Sequence, residues 1–231
     1  MIDRSAFADY SDFEKNIKHH NRFFVNSKFI EFIKELIKLN IHVLGEGTKL
    51  YRARIHKYED GKNVPFTSHK MYNPEPTEAI RGRANPDGIS YLYLSSEIST
   101  CLKEVSPKNE DIITIGEFSL KKNIDLIDFV SPFTSSQNNY LNSLNHCIRL
   151  TFSNTQLSAR PEIEYLPYQF ICELIKNENY SGVKYTSSYD NPLLTKAYNL
   201  VLFDHTLVSL EDSKCSLIKI ISTNYEFEKI N

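Results

Sequence analysis

At Thr48 the hydrophobic period of the chain changes, and that change limits the folds available to it. Before Thr48, SKFIEFIKELIKLN sets Phe29, Ile30, Ile33, Leu36 and Ile37 at helical spacing. After it, KLYRARI alternates, with Arg52 and Arg54 on one face and Tyr51, Ala53 and Ile55 on the other. A helical N-terminal part therefore leads into a strand-containing part. Ser11 followed by Glu14 predicts a capping box, Ser27 predicts the cap of a second helix, and Gly45 and Gly47 close the region. This divides the chain into a helical extension over residues 1–47 and a main domain over 48–231.

Further along, residues 56–88 carry Pro65, Pro74, Pro76 and Pro86 and predict a long loop. A loop of that length in a compact domain is usually functional or mobile. Ile89–Leu94 reads as a strand with Tyr91 and Tyr93 on one side and Leu92 and Leu94 on the other. Ser96 is placed to cap a helix EISTCLKEVS, with Glu104 at the edge of its apolar stripe and Pro107 just beyond. IITIGEFSL, IDLIDF, VKYTSS, NLVLFD and SLIKIIS predict strands, and YLNSLNHCIRLTF and LPYQFICELIKN predict helices, the second with Pro167 in its first turn. The strands and helices follow no βαβ rhythm, so the class expected is α+β rather than a doubly wound sheet. There is no internal repeat.

The 231 residues suffice for one large domain or a domain with an extension. A net charge of −2 advertises no general affinity for nucleic acid. The N-terminal residues lack a signal-peptide core, and no apolar run reaches membrane length, so a cytoplasmic protein without a membrane partner is expected. Cys101, Cys147, Cys172 and Cys215 lie far apart among apolar neighbours; they read as reduced core residues, and zinc-ligand spacing is absent. GRANPDG lacks the spacing of a phosphate loop, and no HExxH or GxSxG motif occurs. A pair of catalytic carboxylates, Glu104 with Glu162 or Glu164, is conceivable. Two arginines on one strand face suit phosphate. Tyr93, Glu104 and Ser187 have ordinary structural readings when each is taken alone.

Together the segments say more. LYRAR, GRANPDGISYLYLSSEISTCLKEV, YLPYQFICELIK, SGVKYTSS and NLVLF, in that order from about Leu50 to Phe203, resemble the RES domain. The resemblance implies a fold similar to ADP-ribosyltransferases, with mixed sheets and flanking helices. It also implies a bacterial toxin or defence effector that degrades NAD+ by hydrolysis or phosphorolysis of the nicotinamide–ribose bond and is paired with an Xre-type antitoxin or another inhibitory partner. NAD+ is then substrate, and no metal is required. Arg52 and Arg83 match the family arginines, Tyr93 the strand tyrosine, Glu104 the glutamate and Ser187 the serine, with Ser188 as the alternative one position on. Glu104, Arg52 and Tyr93 are the implied catalytic residues; Arg52, Arg83, Tyr93 and Ser187 are the implied NAD+-binding residues. Period-two alternation puts Ser187 on the face of Tyr185. Tyr168 in LPYQF departs from the family, where a smaller threonine is common. Two rival activities stay open: ADP-ribosylation of a protein or nucleic acid, and a nucleotide- or partner-binding module without turnover. The N-terminal helices are a candidate surface for a partner or for homo-oligomer formation.

Overall fold

The computed structural model describes residues 2–57, 64–131, 138–153, 160–189 and 197–223. Helix α1 spans Arg4–His19 and α2 spans Ser27–Leu39. Both starts differ from expectation. Asp3 caps α1 through its carboxylate, which accepts from Ser5 N at 2.9 Å, and Ser11 and Glu14 lie inside the helix. The buried stripe Ala6, Tyr10, Phe13, Ile17 explains why: it reaches a full turn upstream of Ser11. Asn26, not Ser27, caps α2, accepting from Lys28 N at 2.9 Å and Phe29 N at 3.4 Å.

After α2 comes an unforeseen strand, β1 (Ile41–Leu44), and then β2 (Lys49–Ile55). The predicted long loop contains a short helix, α3 (Ser68–Met71), and a 3₁₀ turn at Pro76–Glu78; residues 58–63 lie outside the described residues. There follow β3 (Leu92–Ser95), α4 (Ile98–Val105), β4 (Ile112–Leu120) and β5 (Ile124–Asp128). Then come α5 (Asn139–Ser153), α6 (Pro161–Glu164) and α7 (Leu166–Asn177). β6 (Gly182–Tyr185), β7 (Asn199–Leu202), β8 (Val208–Ser209) and β9 (Cys215–Lys219) finish the chain.

The strands form one mixed sheet in the order β1-β5-β6-β7-β3-β2-β4-β8, with β9 also pairing β4. Among the described residues the parallel contact is β5 with β6, and the other ladders are antiparallel. The protein is α+β, with a helical N-terminal part. That part does not stand apart. α1 and α2 share a core with α5 and α7, in which Phe13, Ile33 and Leu36 meet Leu144, Ile171, Tyr91 just before β3, and the sheet residues Val183 and Val201. The opposite sheet face packs Leu50, Leu92, Leu94, Phe118, Leu200 and Leu202 together. A smaller cluster of Ala53, Cys101, Ile113 and Ile115 seats α4 on β2 and β4. All four cysteines are buried and free.

One joint in the sheet is only weakly closed. β2 runs beside β4 in continuous register from Lys49↔Ser119 to Ile55↔Ile113, but it meets β3 at a single pair, Tyr51↔Ser95. The sheet therefore has a seam between β2 and β3, with few backbone bonds to hold its two sides together.

Candidate active site

A cavity of about 280 Å³ lies at this seam, lined by Arg52 from β2, Tyr93 and Ser95 from β3, Glu104 from α4, Tyr185 from β6 and Asn199 from β7. Its residues span Tyr51 to Asn199 in sequence and meet because antiparallel pairing brings β3, β7 and β6 side by side.

Arg52 is the electrostatic anomaly of the molecule. Its Nη1 is shielded from solvent and has no hydrogen-bond partner among the described residues. Burial, with the charge of Arg54 adding to it, pushes the guanidinium down from 12.5 to about 10. At neutral pH it remains a cation, and a shielded cation left short of a hydrogen-bond partner is costly to keep. Such groups cluster where a ligand supplies the missing charge. Arg54, expected on the same face, does not join it. Arg54 is exposed, donates to the Lys70 carbonyl, and lies with its Cζ 5.5 Å from the Phe66 ring centroid.

Glu104 stands at the end of α4, which stops at Val105 because Ser106 turns left-handed at φ 47°. Its Oε1 accepts from Ser187 Oγ at 2.7 Å and from Asn199 Nδ2 at 2.6 Å. Ser95 Oγ donates to Asn199 Oδ1 at 2.7 Å, which fixes the amide so that its NH₂ faces Glu104. Both donors act on one carboxylate oxygen, leaving Oε2 without a bond among the described residues. Of the two serines, Ser187 is the one that reaches Glu104, whereas Ser188 Oγ is buried without a hydrogen-bond partner among the described residues.

Tyr93 does something other than what its residue type suggested. Its hydroxyl donates to Asn85 Oδ1 at 2.7 Å and accepts from Ala84 N at 3.0 Å, so it is spent inside the GRANP turn. Burial, joined by the nearby Tyr185, raises its pKa far above the ordinary tyrosine range. The ring lines the cavity; the hydroxyl is not free to serve a ligand. Gln169 Nε2 grips the same turn, donating to the carbonyls of Gly82 at 2.9 Å and Asn85 at 3.0 Å. Asn85 Nδ2 donates in turn to the Ile89 carbonyl at 2.8 Å. A Cβ at Gly82 would sit 2.6 Å from the Tyr93 oxygen, so the turn closes this tightly only around glycine.

The caged turn carries Arg83. Its Nη1 donates to the Phe152 carbonyl at 2.7 Å, and its Cζ lies 5.6 Å from the ring centroid of Tyr185. Tyr185 lines the cavity, so Arg83 is one ring away from it rather than in its wall. Tyr168, the departure from the family pattern, is buried edge-on against Phe152, beside the Arg83 acceptor. The carboxylate pair does not form in this cavity: neither Glu162 nor Glu164 lines it with Glu104, and Glu164 pairs with Lys18 at 2.8 Å.

Asn199, Ser95 and Gln169 carried no functional reading in the sequence. A signal existed for Asn199. It heads NLVLF, whose strand is buried throughout, and a polar side chain in such a strand must have a partner. Among the described residues there is no group of three or more His, Cys, Asp or Glu that could hold a metal ion, and no helix long and apolar enough to cross a membrane.

A mixed sheet opened at one seam thus has an arginine with a shielded Nη1 and a doubly held carboxylate facing the same opening. The protein-family model for the RES domain matches residues 49–220, and the chain belongs to that family. No curated protein matches it. A solved structure similar to the chain is the M. tuberculosis MbcT–MbcA toxin–antitoxin complex. The likeness has 12% sequence identity and a TM-score of 0.47, covering 85% of this chain and 93% of that one.

Proposed function

We propose that the protein is an NAD+-degrading enzyme of toxin type, which breaks the nicotinamide–ribose bond by hydrolysis or phosphorolysis. The observation that carries this reading is Arg52, with its shielded Nη1 lacking a hydrogen-bond partner among the described residues, facing the same cavity as Glu104. An anion is needed to complete the first, and the second offers a free carboxylate oxygen. A dinucleotide supplies both a pyrophosphate and a ribose. At about 280 Å³ the cavity is at the small end of ligand pockets and suits one ring and its sugar.

The chemistry asks little of the protein in acid catalysis. Nicotinamide departs neutral from a cationic pyridinium, taking the electron pair of the C–N bond. The ribose carbon left behind develops oxocarbenium charge, and water or phosphate adds to it, losing a proton. Glu104 Oε2, bonded to a ribose hydroxyl, stabilises that charge more in the transition state than in the ground state. Ser187 and Asn199 hold the carboxylate in place beforehand, so little reorganisation is required at the moment of reaction. Arg52 pairs with phosphate, and the Tyr93 and Tyr185 rings bound the space for the leaving ring. On the family resemblance, an antitoxin of Xre type blocks this pocket in the bacterial cytoplasm.

The test is incubation of the purified protein with NAD+, with and without phosphate, with products identified by mass. Free ADP-ribose indicates water as the acceptor, and a phosphorylated product indicates phosphorolysis. Label retained on macromolecules in a lysate indicates transfer. Glu104→Gln is expected to cut turnover by about 100-fold or more while NAD+ still binds. NAD+ left intact by the wild-type protein under every condition would sink the proposal.

A further inference from the structure

The helical N-terminal part, which the family match leaves outside, bears a groove with no role in the pocket at the seam. It measures about 370 Å³, and its floor is aromatic: Phe13, Phe29, Phe32 and Tyr140. Phe32 and Tyr140 pack with ring centroids 4.7 Å apart. Asp9 and Asp12 give it an acidic rim, with Lys28 as a single cation near Phe32. Immediately beside the groove, in the turn between α1 and α2, Phe23 and Phe24 project into solvent with 87% and 79% of their surface exposed. The turn is built rather than strung out, since Phe23 N donates to Asn21 Oδ1 at 3.3 Å. Arg22 precedes the pair and is exposed too. The next residues, Val25 and Asn26, line the groove itself.

We propose that this face is a self-complementary interface through which two copies of the chain form a twofold dimer, each placing Phe23 and Phe24 in the aromatic groove of the other. The reason to choose a second copy over a foreign partner is that both halves of the fit are on one patch. A cationic, aromatic projection adjoins an acidic, aromatic groove, and that is the condition for an isologous contact. The chain cannot satisfy it alone, because the two rings sit exposed next to the groove rather than in it. Four phenylalanine rings would bury roughly 600–1,000 Å². With their rims this reaches the lower range of stable interfaces, about 1,200 Å². Arg22 of each copy would meet Asp12 of the other.

The full-length protein is to be weighed by sedimentation velocity from about 1 to 100 µM, a range that covers a micromolar dissociation constant. A concentration-dependent dimer is expected. Phe23→Ser/Phe24→Ser should raise the dissociation constant at least about 30-fold. Both residues are exposed, so circular dichroism and the melting temperature should stay unchanged. Arg22→Asp and Asp12→Arg should each weaken the dimer, and the two together should restore it. A wild-type monomer at the highest concentration, a serine variant that still dimerises, or a charge swap that fails to restore association each overturns the proposal. NAD+ turnover is read separately and has no bearing on the outcome.

Discussion

Replacing Arg52 by methionine should make the protein more stable and end its response to NAD+. The wild-type guanidinium is shielded at Nη1, which has no hydrogen-bond partner among the described residues. Its fall from 12.5 to about 10 corresponds to roughly 3 kcal/mol against the charged form, at about 1.36 kcal/mol per pKa unit. The residue as a whole keeps part of its surface in water, which screens the penalty and leaves about 1–2 kcal/mol to be recovered. Methionine retains the apolar stem and removes the charge. For a chain of this size that gain is worth about 2–8 °C in melting temperature. The assay is calorimetry or urea titration in a Glu104→Gln background, so that nucleotide is not consumed. NAD+ at about 100 times its dissociation constant should stabilise the parent by about 2.7 kcal/mol and the Arg52→Met protein hardly at all. If Arg52→Met lowers stability by more than about 1 kcal/mol, or NAD+ stabilises it as much as the parent, the reading of Arg52 as a cation awaiting its anion is wrong.

Other consequences are open to simpler measurement. Asn199→Ala removes one of two donors to Glu104 Oε1, and kcat should fall about 10- to 100-fold with a smaller change in KM, whereas a role in ligand affinity would move KM instead. Gly82→Ala drives a methyl to 2.6 Å from the Tyr93 oxygen, so stability should drop by about 1–3 kcal/mol in a urea melt. Lys184→Met strands the buried Asp128, 2.9 Å from a lost partner, and should cost about 3–5 kcal/mol at pH 7. Burial alone would raise Asp128, but the Lys184 and Ser131 bonds outweigh it and hold its folded pKa below the ordinary value. The stability tied to this carboxylate is therefore fully present above about pH 4 and lost as pH falls through the folded value, and melts at pH 7, 4 and 3 should show that decline.

What could be read from the sequence depended on how locally each feature is determined. IITIGEFSL and LPYQFICELIKN appear as β4 and α7 at the same ends, because a long apolar alternation and a Pro-started amphipathic run are decided within the segment itself. β1 escaped because only Leu44 of its four residues is buried; its existence rests on pairing with β5, about 80 residues on. The internal Ser11–Glu14 pair imitated a cap, and only packing of Ala6 against α5 and α7 reveals the helix continuing past it. At the site, the family motifs pointed to residues that the sheet does bring near one another. They did not tell a residue that meets the cavity from one that supports it. Tyr93 looked like a ligand contact, yet its hydroxyl serves the turn, and Arg83 sits behind Tyr185. That distinction depends on which atom is already bonded, and no residue spacing encodes it.

The seam between β2 and β3 gives Glu104 a second duty. α4 is seated on β2 and β4 through Cys101, while Ser187 follows β6 and Asn199 lies in β7. The two hydrogen bonds to Oε1 therefore rivet one half of the sheet to the other where backbone pairing has nearly run out. On the proposed function a single carboxylate would be both tool and fastener, so truncating it to alanine would blur lost chemistry with a loosened sheet. Glutamine keeps a carbonyl oxygen to receive the same two donors, and it is the replacement that separates the two roles.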